Sequence, residues 1–191
     1  MYHSKIFVPL LCLVLFIAGA ASSYAATVEK ESADSSAASA QPSITARSAV
    51  LIDADSGTVL FENNADEKLP PASVTKVMTM LLIMEAVDSG KISLDDKVTI
   101  SERSASMGGS QLYMEPGETH TVSELLTGIS MVSANDACVA MAEYICGTDD
   151  IFVEKMNEKA KELGLENTHF ANTNGLPADD HYSSARDIAV M

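Results

Sequence analysis

The sequence predicts a single folded domain that combines short strands with helices. Three observations predict this class. Two short apolar runs flank a turn-forming segment near residue 55, as in a β-hairpin. Several later segments begin with helix-capping residues and continue with apolar residues at helical spacing. The 191 residues are 47 % apolar and 20 % charged, a composition that supports one buried core with appendages.

The N-terminal residues 1–25 have the features of a secretory signal peptide. Lys5 belongs to a short, weakly basic start, residues 6–21 are apolar, and a small-x-small cleavage sequence ends at Ala25. The apolar run is shorter than the roughly 20 residues that span a bilayer, so a cleaved signal is favoured over an uncleaved membrane anchor. We therefore expect a secreted protein.

Residues 26–47 predict a disordered spacer, because they are rich in Ala and Ser and have almost no large apolar side chains. The pattern changes at Ser48, so the folded domain is predicted over residues 48–191. The hairpin comes first in it. Apolar runs on both sides of an Asp/Ser/Gly turn predict strands at 48–53 and 58–62.

The next segment, residues 73–87, is the most apolar helix predicted in the mature chain. Pro70 and Pro71 fix the backbone just before it. Its apolar residues surround the helix instead of forming a stripe, so we expect it to be buried within the domain. A strand-like run follows at 97–100, and a Ser/Gly-rich loop is predicted over 101–110.

Capping signals predict the remaining helices. Thr121 and Ser133 each stand three residues before an acidic side chain, which is the spacing of a capping box. Thr148 is a further N-cap candidate, and Gly164 closes the helix that it begins. The helices predicted from these signals are 121–131, 133–146, 148–163 and one that begins at Ser184.

Charge and cysteine content exclude several classes of function. The 27 acidic and 12 basic residues give a formal net charge of −15, which repels phosphate backbones, so nucleic acid is not an expected partner. Cys12 leaves with the signal peptide. Cys138 and Cys146 are separated by a helical rise of about 12 Å, too long for a direct disulfide, and are expected to be small core residues.

Ser73 and Lys76 are the first candidate catalytic pair. At positions i and i+3 of a helix, their side chains lie on one face. Apolar surroundings without a counter-charge lower the pKa of a lysine, and a neutral amine can take the proton of a serine hydroxyl. The first helical turn also offers free N–H groups to a developing oxyanion. A capping serine with a lysine that reaches the solvent is the structural alternative.

Ser133 and Asn135 add a second hydroxyl and an amide at the predicted start of another helix. The hydroxyl could pass a proton to a leaving group, and the amide could orient a substrate carbonyl or the lysine. Taken alone, this motif is also explained by simple helix capping. The two motifs together carry more weight, because each occurs once and in this order.

The sequence resembles the penicillin-binding serine peptidases, and more narrowly the low-molecular-weight D-alanyl-D-alanine carboxypeptidases. The resemblance rests on Ser-x-x-Lys at 73–76 and Ser-x-Asn at 133–135. It extends from Ser48 to Met191. It includes the hairpin at 50–57, and the further matching segments are 107–111, 115–118, Gly175-Leu176 and 181–187.

The resemblance implies a role for each residue of the two motifs. Ser73 would be the nucleophile that forms an acyl-enzyme with the penultimate D-alanine of a stem peptide. Its backbone N–H would be half of the oxyanion hole. Lys76 would be the general base, Ser133 would pass a proton to the leaving amine, and Asn135 would orient the substrate and Lys76. Water would then hydrolyse the ester.

The resemblance also implies the fold, the partners and the place of action. The fold would be α+β of the β-lactamase/transpeptidase-like type, an antiparallel sheet flanked by helices with a helical subdomain. The partners would be peptidoglycan stem peptides ending in D-Ala-D-Ala, with β-lactams as covalent inhibitors. No cofactor and no metal are expected. The protein would act at the outer face of the cytoplasmic membrane or in the cell wall.

The sequence departs from this family in one respect. No lysine is followed by Thr-Gly or Ser-Gly, so the third family motif, Lys-Thr-Gly on an edge strand, is absent. We expect a truncated chain in which the C-terminal strands are missing, with doubtful activity. Membrane contact would come through parts missing here. The alternative is a non-catalytic remnant that binds cell-wall peptide or a β-lactam without turnover.

Two other functions are weighed against this one. A class A β-lactamase needs a further carboxylate to activate water, and neither Glu162 nor Glu166 stands in a Glu-x-x-x-Asn setting. A metal site could be drawn from His169, Asp179 and His181, but their spacing is not diagnostic. We expect these histidines, like His120, to be loop or surface residues.

Overall fold

The computed structural model describes residues 43–191. The predicted signal peptide and most of the predicted spacer lie outside the described residues. Within residues 43–191, no helix is both long and apolar enough to cross a membrane. The described chain mixes short antiparallel strands with helices, and the predicted α+β class is confirmed.

The predicted hairpin is present within one residue of its predicted bounds. β1 (Ala49–Ile52) pairs with β2 (Val59–Asn63) in antiparallel register. The turn between them closes when Gly57 N–H donates to the Asp53 carbonyl at 2.8 Å, while the Asp53 carboxylate accepts from the Ser56 backbone and hydroxyl. This Asx-type turn explains why the Asp/Ser/Gly segment specifies a hairpin.

The helix predicted over 73–87 is divided into two parts. Ala72–Thr75 form a 3₁₀ turn, and α1 follows as Lys76–Asp88. The tighter first turn places Ser73 just outside the α-helix and Lys76 at its first residue. The helix ends at Asp88 with Ser89 as its C-cap, and the next residue, Gly90, has a φ of +71°.

A second, smaller sheet lies between α1 and the later helices in sequence. α2 (Glu102–Ala105) interrupts the loop predicted over 101–110, with Ser101 and Ser104 forming a capping box. β3 (Lys97–Thr99) pairs antiparallel with β4 (Thr119–Thr121). The strand-like run at 97–100 is confirmed, whereas β4 and α2 were not predicted.

The remaining helices begin near their predicted caps. α3 is Val122–Val132, α4 is Asn135–Cys146, α5 is Asp149–Glu162 and α6 is Ala185–Val190. Thr121, Thr148 and Ser184 each accept a hydrogen bond from the backbone of the first turn, as predicted. The prediction for Ser133 is wrong: it does not cap α4, whose N-cap is Ala134 without a side-chain bond.

α4 is the centre of the core. It packs against α1, α2, α3, α5 and β3, and its residues 135–142 are all buried. Small side chains such as Ala137, Cys138 and Ala140 let the neighbouring helices approach closely. Cys138 is a buried free thiol, as expected, and Cys146 is a half-buried free thiol.

The expectation that α1 is buried on most sides is wrong for the described residues. Its buried residues are Lys76, Met78, Thr79, Ile83 and Ala86. Val74 in the preceding turn, and Val77 and Met84 in α1, are each about 40 % exposed. The apolar composition therefore overestimated the burial of this helix. Polar side chains occupy part of its buried face, and some of its apolar side chains are exposed.

The segment after α5 runs back past the start of α1. Leu69 and His169 form isolated antiparallel bridges to Ser183 and Tyr182. These bridges hold residues 169–183 beside the 3₁₀ turn. The fold thus brings together three parts of the chain at one place: the 3₁₀ turn, the α3–α4 junction and the 169–183 segment.

Candidate active site

Ser73 is presented to the solvent by a turn with a strained entry. Two prolines precede the turn, and Ala72 has a φ of +46°, in the left-handed region that L-residues rarely adopt. Ser73 itself is exposed within the 3₁₀ turn. An exposed hydroxyl at the start of a helix can meet a substrate without a change in the fold.

Lys76 approaches Ser73 from the buried side. Its side chain belongs to a residue that is 3 % exposed, and Nζ lies 3.2 Å from Ser73 Oγ. Nζ also donates to the backbone carbonyl of Asn174 at 2.7 Å. Burial lowers the pKa of the Lys76 amine, and the nearby Cys138 thiol opposes this only in part. Among the ion pairs found in residues 43–191, none involves Lys76.

Ser133 completes a cluster of three polar side chains. It stands between α3 and α4 with a φ of 59°, in the left-handed region. Its hydroxyl donates to Ser73 Oγ at 3.0 Å, across 60 positions of sequence. A non-glycine residue held in this strained conformation costs of order 1–3 kcal/mol, and such residues concentrate at functional sites.

Asn135 follows Ser133 by two residues, and the hydrogen bonds of its side chain and of Lys76 go to different partners. Its side-chain amide donates to the carbonyl of Gly108 at 2.7 Å, and its backbone N–H donates to the carbonyl of Ser110 at 2.8 Å. A Cβ on Gly109 would come within 2.8 Å of the Asn135 amide nitrogen. The expected orientation of Lys76 by Asn135 is therefore not seen, and Asn135 instead fixes the 108–110 loop.

Asp136 is a structural residue of the site that sequence reasoning missed. Its carboxylate is fully buried and accepts hydrogen bonds from the backbone N–H groups of Leu112, Tyr113 and Ala137. The sequence offered it as part of a capping box. In the structure it connects the start of α4 to the loop that follows α2.

The contacts of the loop at 172–176 are the second feature that the sequence did not reveal. It supplies the Asn174 carbonyl to Lys76, and the Thr173 carbonyl to the hydroxyl of Thr79 at 2.6 Å. Gly175 has a φ of +88° and packs directly on Ala72. Backbone carbonyls carry no sequence signal. The resemblance through Gly175-Leu176 was the one available indication.

The histidines divide into two groups. His169 is exposed, as expected, whereas His120 is half-buried in β4. His181 lies in a loop, as expected, but it is not a surface residue: it is 6 % exposed, and its Nε2 lies 2.7 Å from Thr75 Oγ1. Within residues 43–191, no group of three His, Cys, Asp or Glu side chains could hold a metal ion. Glu162 pairs with Lys159 at 2.7 Å.

Comparison with known proteins agrees with this geometry. Residues 35–191 match the sequence pattern of the peptidase S11 family, described as D-alanyl-D-alanine carboxypeptidase. Over 146 residues, 76 % of this chain, the sequence is 62 % identical to D-alanyl-D-alanine carboxypeptidase DacF of Bacillus subtilis. This alignment covers 38 % of that relative, so the chain spans about two fifths of its length.

Two solved structures are similar in fold. The D-alanyl-D-alanine carboxypeptidase DacD from Francisella tularensis has a TM-score of 0.77 and 42 % identity, covering 79 % of this chain and 37 % of that one. Penicillin-binding protein D2 from Listeria monocytogenes, solved in the ampicillin-bound form, has a TM-score of 0.68 and 32 % identity. The coverage there is 78 % of this chain and 62 % of that one.

Proposed function

The chain belongs to the D-alanyl-D-alanine carboxypeptidase family, and from this premise we propose that it contributes the nucleophile, the base and a proton relay to a serine-type carboxypeptidase. The reaction removes the terminal D-alanine from peptidoglycan stem peptides. One observation carries the proposal: the Lys76 amine and the Ser133 hydroxyl both lie within 3.2 Å of Ser73 Oγ.

Acylation begins with proton transfer from Ser73 to Lys76. A neutral amine has a lone pair that can accept the hydroxyl proton, and burial favours this neutral form. The Asn174 carbonyl accepts one N–H of the amine at 2.7 Å, which leaves the lone pair free to face Ser73. Ser73 Oγ then attacks the carbonyl carbon of the penultimate D-alanine and forms a tetrahedral intermediate.

Collapse of this intermediate breaks the C–N bond to the terminal D-alanine. The leaving nitrogen needs a proton. Ser133 Oγ, which lies 3.0 Å from Ser73 Oγ, supplies it and is reprotonated from the Lys76 ammonium. Water then attacks the ester carbonyl, and the bond from this carbon to Ser73 Oγ breaks. The shortened peptide leaves with a new carboxyl group, and a proton of the water goes to Ser73 Oγ. The proton that leaves with D-alanine is thus replaced by one from water.

The backbone N–H of Ser73 is the proposed donor to the oxyanion. Gly175 supports this role by its lack of a side chain, because a Cβ there would lie 3.0 Å from Ser73 N and crowd the donor. Removal of one oxyanion-hole donor, a side-chain amide in the known case, costs on the order of 10²–10³ in kcat.

Residues 1–25 are proposed to be a signal peptide and 26–47 a spacer, which places the catalytic residues outside the cytoplasmic membrane, where stem peptides are found. β-Lactams are proposed as covalent inhibitors that acylate Ser73. The ampicillin-bound structure of the Listeria relative supports this class of ligand.

The proposal is tested with the complete gene product and a fluorescent penicillin. We expect the wild-type protein to form a covalent adduct that survives denaturation, and to release D-alanine from a peptide ending in D-Ala-D-Ala. Ser73→Ala and Lys76→Ala should form no adduct while keeping the wild-type melting temperature within a few degrees.

Ser123→Ala is the matched control, because Ser123 is exposed in the first turn of α3 and lies outside the cluster. It should be labelled like the wild type. Equal labelling of the wild type and Ser73→Ala would overturn the assignment of the nucleophile. An adduct without any D-alanine release would instead support a protein that binds β-lactams without turnover.

A further inference from the structure

A buried histidine connects the 3₁₀ turn to the segment that follows α5. His181 Nε2 lies 2.7 Å from the hydroxyl oxygen of Thr75. His181 Nδ1 accepts a hydrogen bond from the backbone N–H of Ala171 at 2.9 Å. Because Nδ1 is the acceptor, the proton of the neutral ring is on Nε2 and is donated to Thr75.

The segment that His181 holds returns to the same turn. Three residues after Ala171, the carbonyl of Asn174 accepts a hydrogen bond from Lys76 Nζ at 2.7 Å. Thr75 and Lys76 are adjacent in sequence, so the contacts form a closed ring: Thr75 to His181, His181 to Ala171, and Asn174 back to Lys76. A ring closed in this way fixes the distance between its members better than any one contact could.

We propose that His181 is a positioning residue for the acylation of Ser73: its two hydrogen bonds fix the Asn174 carbonyl, and this carbonyl holds the Lys76 amine 3.2 Å from Ser73 Oγ. The inference rests on the proposed function, because it assigns His181 to the step in which Lys76 takes the proton of Ser73. His181 itself touches neither reacting atom.

The largely apolar surroundings of His181 favour the neutral form of its imidazole. The Phe170 ring lies 6.0 Å away between centroids. A cavity of about 310 Å³ beside His181 has a largely apolar lining, made of Pro70, Ala72, Gly175, Leu176, Pro177 and Ala178. Burial lowers the pKa of His181, and the neighbouring His169 lowers it further, so the ring is kept in the neutral form that both bonds require.

The test compares four variants of the complete gene product: His181→Ala, His181→Gln, His181→Asn and Thr75→Val. Gln places a nitrogen donor near the position of Nε2 and can keep the bond to Thr75. Asn places an oxygen near the position of Nδ1 and can keep the bond to Ala171, but it does not reach Thr75. Val has the shape of Thr and lacks its hydroxyl.

The measurement is the rate of acylation by a fluorescent penicillin at several concentrations, which separates the maximal rate constant from the dissociation constant. We expect all four variants to lower the maximal rate constant about 10- to 100-fold, because each removes at least one of the two bonds that fix the Asn174 carbonyl and small misplacements of a reacting group have effects of this size. The dissociation constant should change less than about threefold. His181→Gln loses the bond to Ala171 and His181→Asn loses the bond to Thr75, so neither variant should restore the wild-type rate constant.

An unchanged rate constant in a folded Thr75→Val variant would overturn the inference, and so would an unchanged rate constant in a folded His181→Gln variant. A change confined to the dissociation constant would do the same. If His181→Ala does not fold, Thr75→Val and His181→Gln still test the positioning role of His181. Failure of the proposed function looks different, since it shows as labelling of Ser73→Ala.

Discussion

Gly175 packs against the backbone of Ala72 so closely that a Cβ on it would lie 1.8 Å from the Ala72 carbonyl oxygen. Gly175 also has a φ of +88°, a conformation that costs little for glycine alone. This contact joins the 172–176 loop to the turn that carries Ser73. Two chain segments about 100 positions apart therefore meet at the nucleophile without a side chain between them.

Gly175→Ala should disrupt the site and destabilise the protein. The added methyl group meets backbone atoms that cannot move without displacing the turn, and the positive φ adds strain. We expect the free energy of unfolding to fall by roughly 3 kcal/mol or more, and penicillin labelling to be lost. Urea unfolding and labelling measure the two effects.

Gly164→Ala is the control for this prediction. Gly164 has a φ of +73°, but a Cβ there would meet nothing within 4 Å. It should cost about 1–2 kcal/mol from backbone strain and leave labelling intact. Equal effects of the two substitutions on stability and labelling would show that packing against Ala72 adds nothing to the effect of backbone strain.

The rate of acylation should rise with pH through the pKa of Lys76. Burial places this pKa below the ordinary value of 10.5, and the neutral amine is the form that accepts the proton of Ser73. The measurement is the acylation rate constant of a fluorescent penicillin from pH 5 upward. Lys76→Arg should stay inactive at every pH, because the guanidinium keeps its charge. A rate independent of pH would contradict the role of Lys76 as base.

The same shift has a consequence for stability. The unfolded lysine keeps its proton up to its ordinary pKa of 10.5, whereas the folded state releases it at lower pH. Between these two pKa values the unfolded state binds more protons, so the contribution of Lys76 to the free energy of unfolding rises with pH. This contribution is lost as the pH falls to the folded-state pKa.

Ser133→Ala should slow acylation and leave the fold intact. The hydroxyl donates to Ser73 Oγ at 3.0 Å, and the residue does not cap α4, so its loss removes a proton path and not a helix cap. We expect the maximal acylation rate constant to fall by about 10²-fold, the lower range for general acid–base catalysis. Ser130→Ala is the matched control, since its hydroxyl donates to the Thr127 carbonyl within α3. Wild-type rates in Ser133→Ala would remove Ser133 from the mechanism.

Local patterns predicted much of the fold. The hairpin and the caps at Thr121, Thr148 and Ser184 were predicted because each depends on residues within a few positions of one another. β4 was missed because Thr-His-Thr is short and polar, and it becomes a strand through pairing with β3.

The candidate site was predicted in its residues but not in its contacts. Ser133 has the sequence signal of a cap, yet a tertiary hydrogen bond to Ser73 and a left-handed backbone take precedence over it. His181 is polar and lies in a loop, so its burial against Thr75 has no local signal. The Asn174 carbonyl is a backbone group, and its role depends entirely on where the chain returns.

Cys138 should resist alkylation in the folded protein. Burial raises the pKa of its thiol to about 12, so almost no thiolate is present at neutral pH, and the residue is fully buried. We expect iodoacetamide to modify Cys138 at the rate of unfolding, with Cys146, which is half-buried, modified sooner. Mass spectrometry of peptides follows both sites. Rapid alkylation of Cys138 under native conditions would show that α4 opens easily.

Asp136→Asn should destabilise the protein, because the buried carboxylate accepts hydrogen bonds from the N–H groups of Leu112, Tyr113 and Ala137. The Asn side chain has an NH₂ group in place of one carboxylate oxygen. This group cannot accept a hydrogen bond, so at least one of the three backbone N–H groups loses its partner. The expected loss in the free energy of unfolding is about 1–3 kcal/mol. Asp150→Asn removes the same charge from an exposed position in α5 and should cost less than about 0.5 kcal/mol. Equal losses in the two variants would mean that net charge, and not the buried hydrogen bonds, sets the stability.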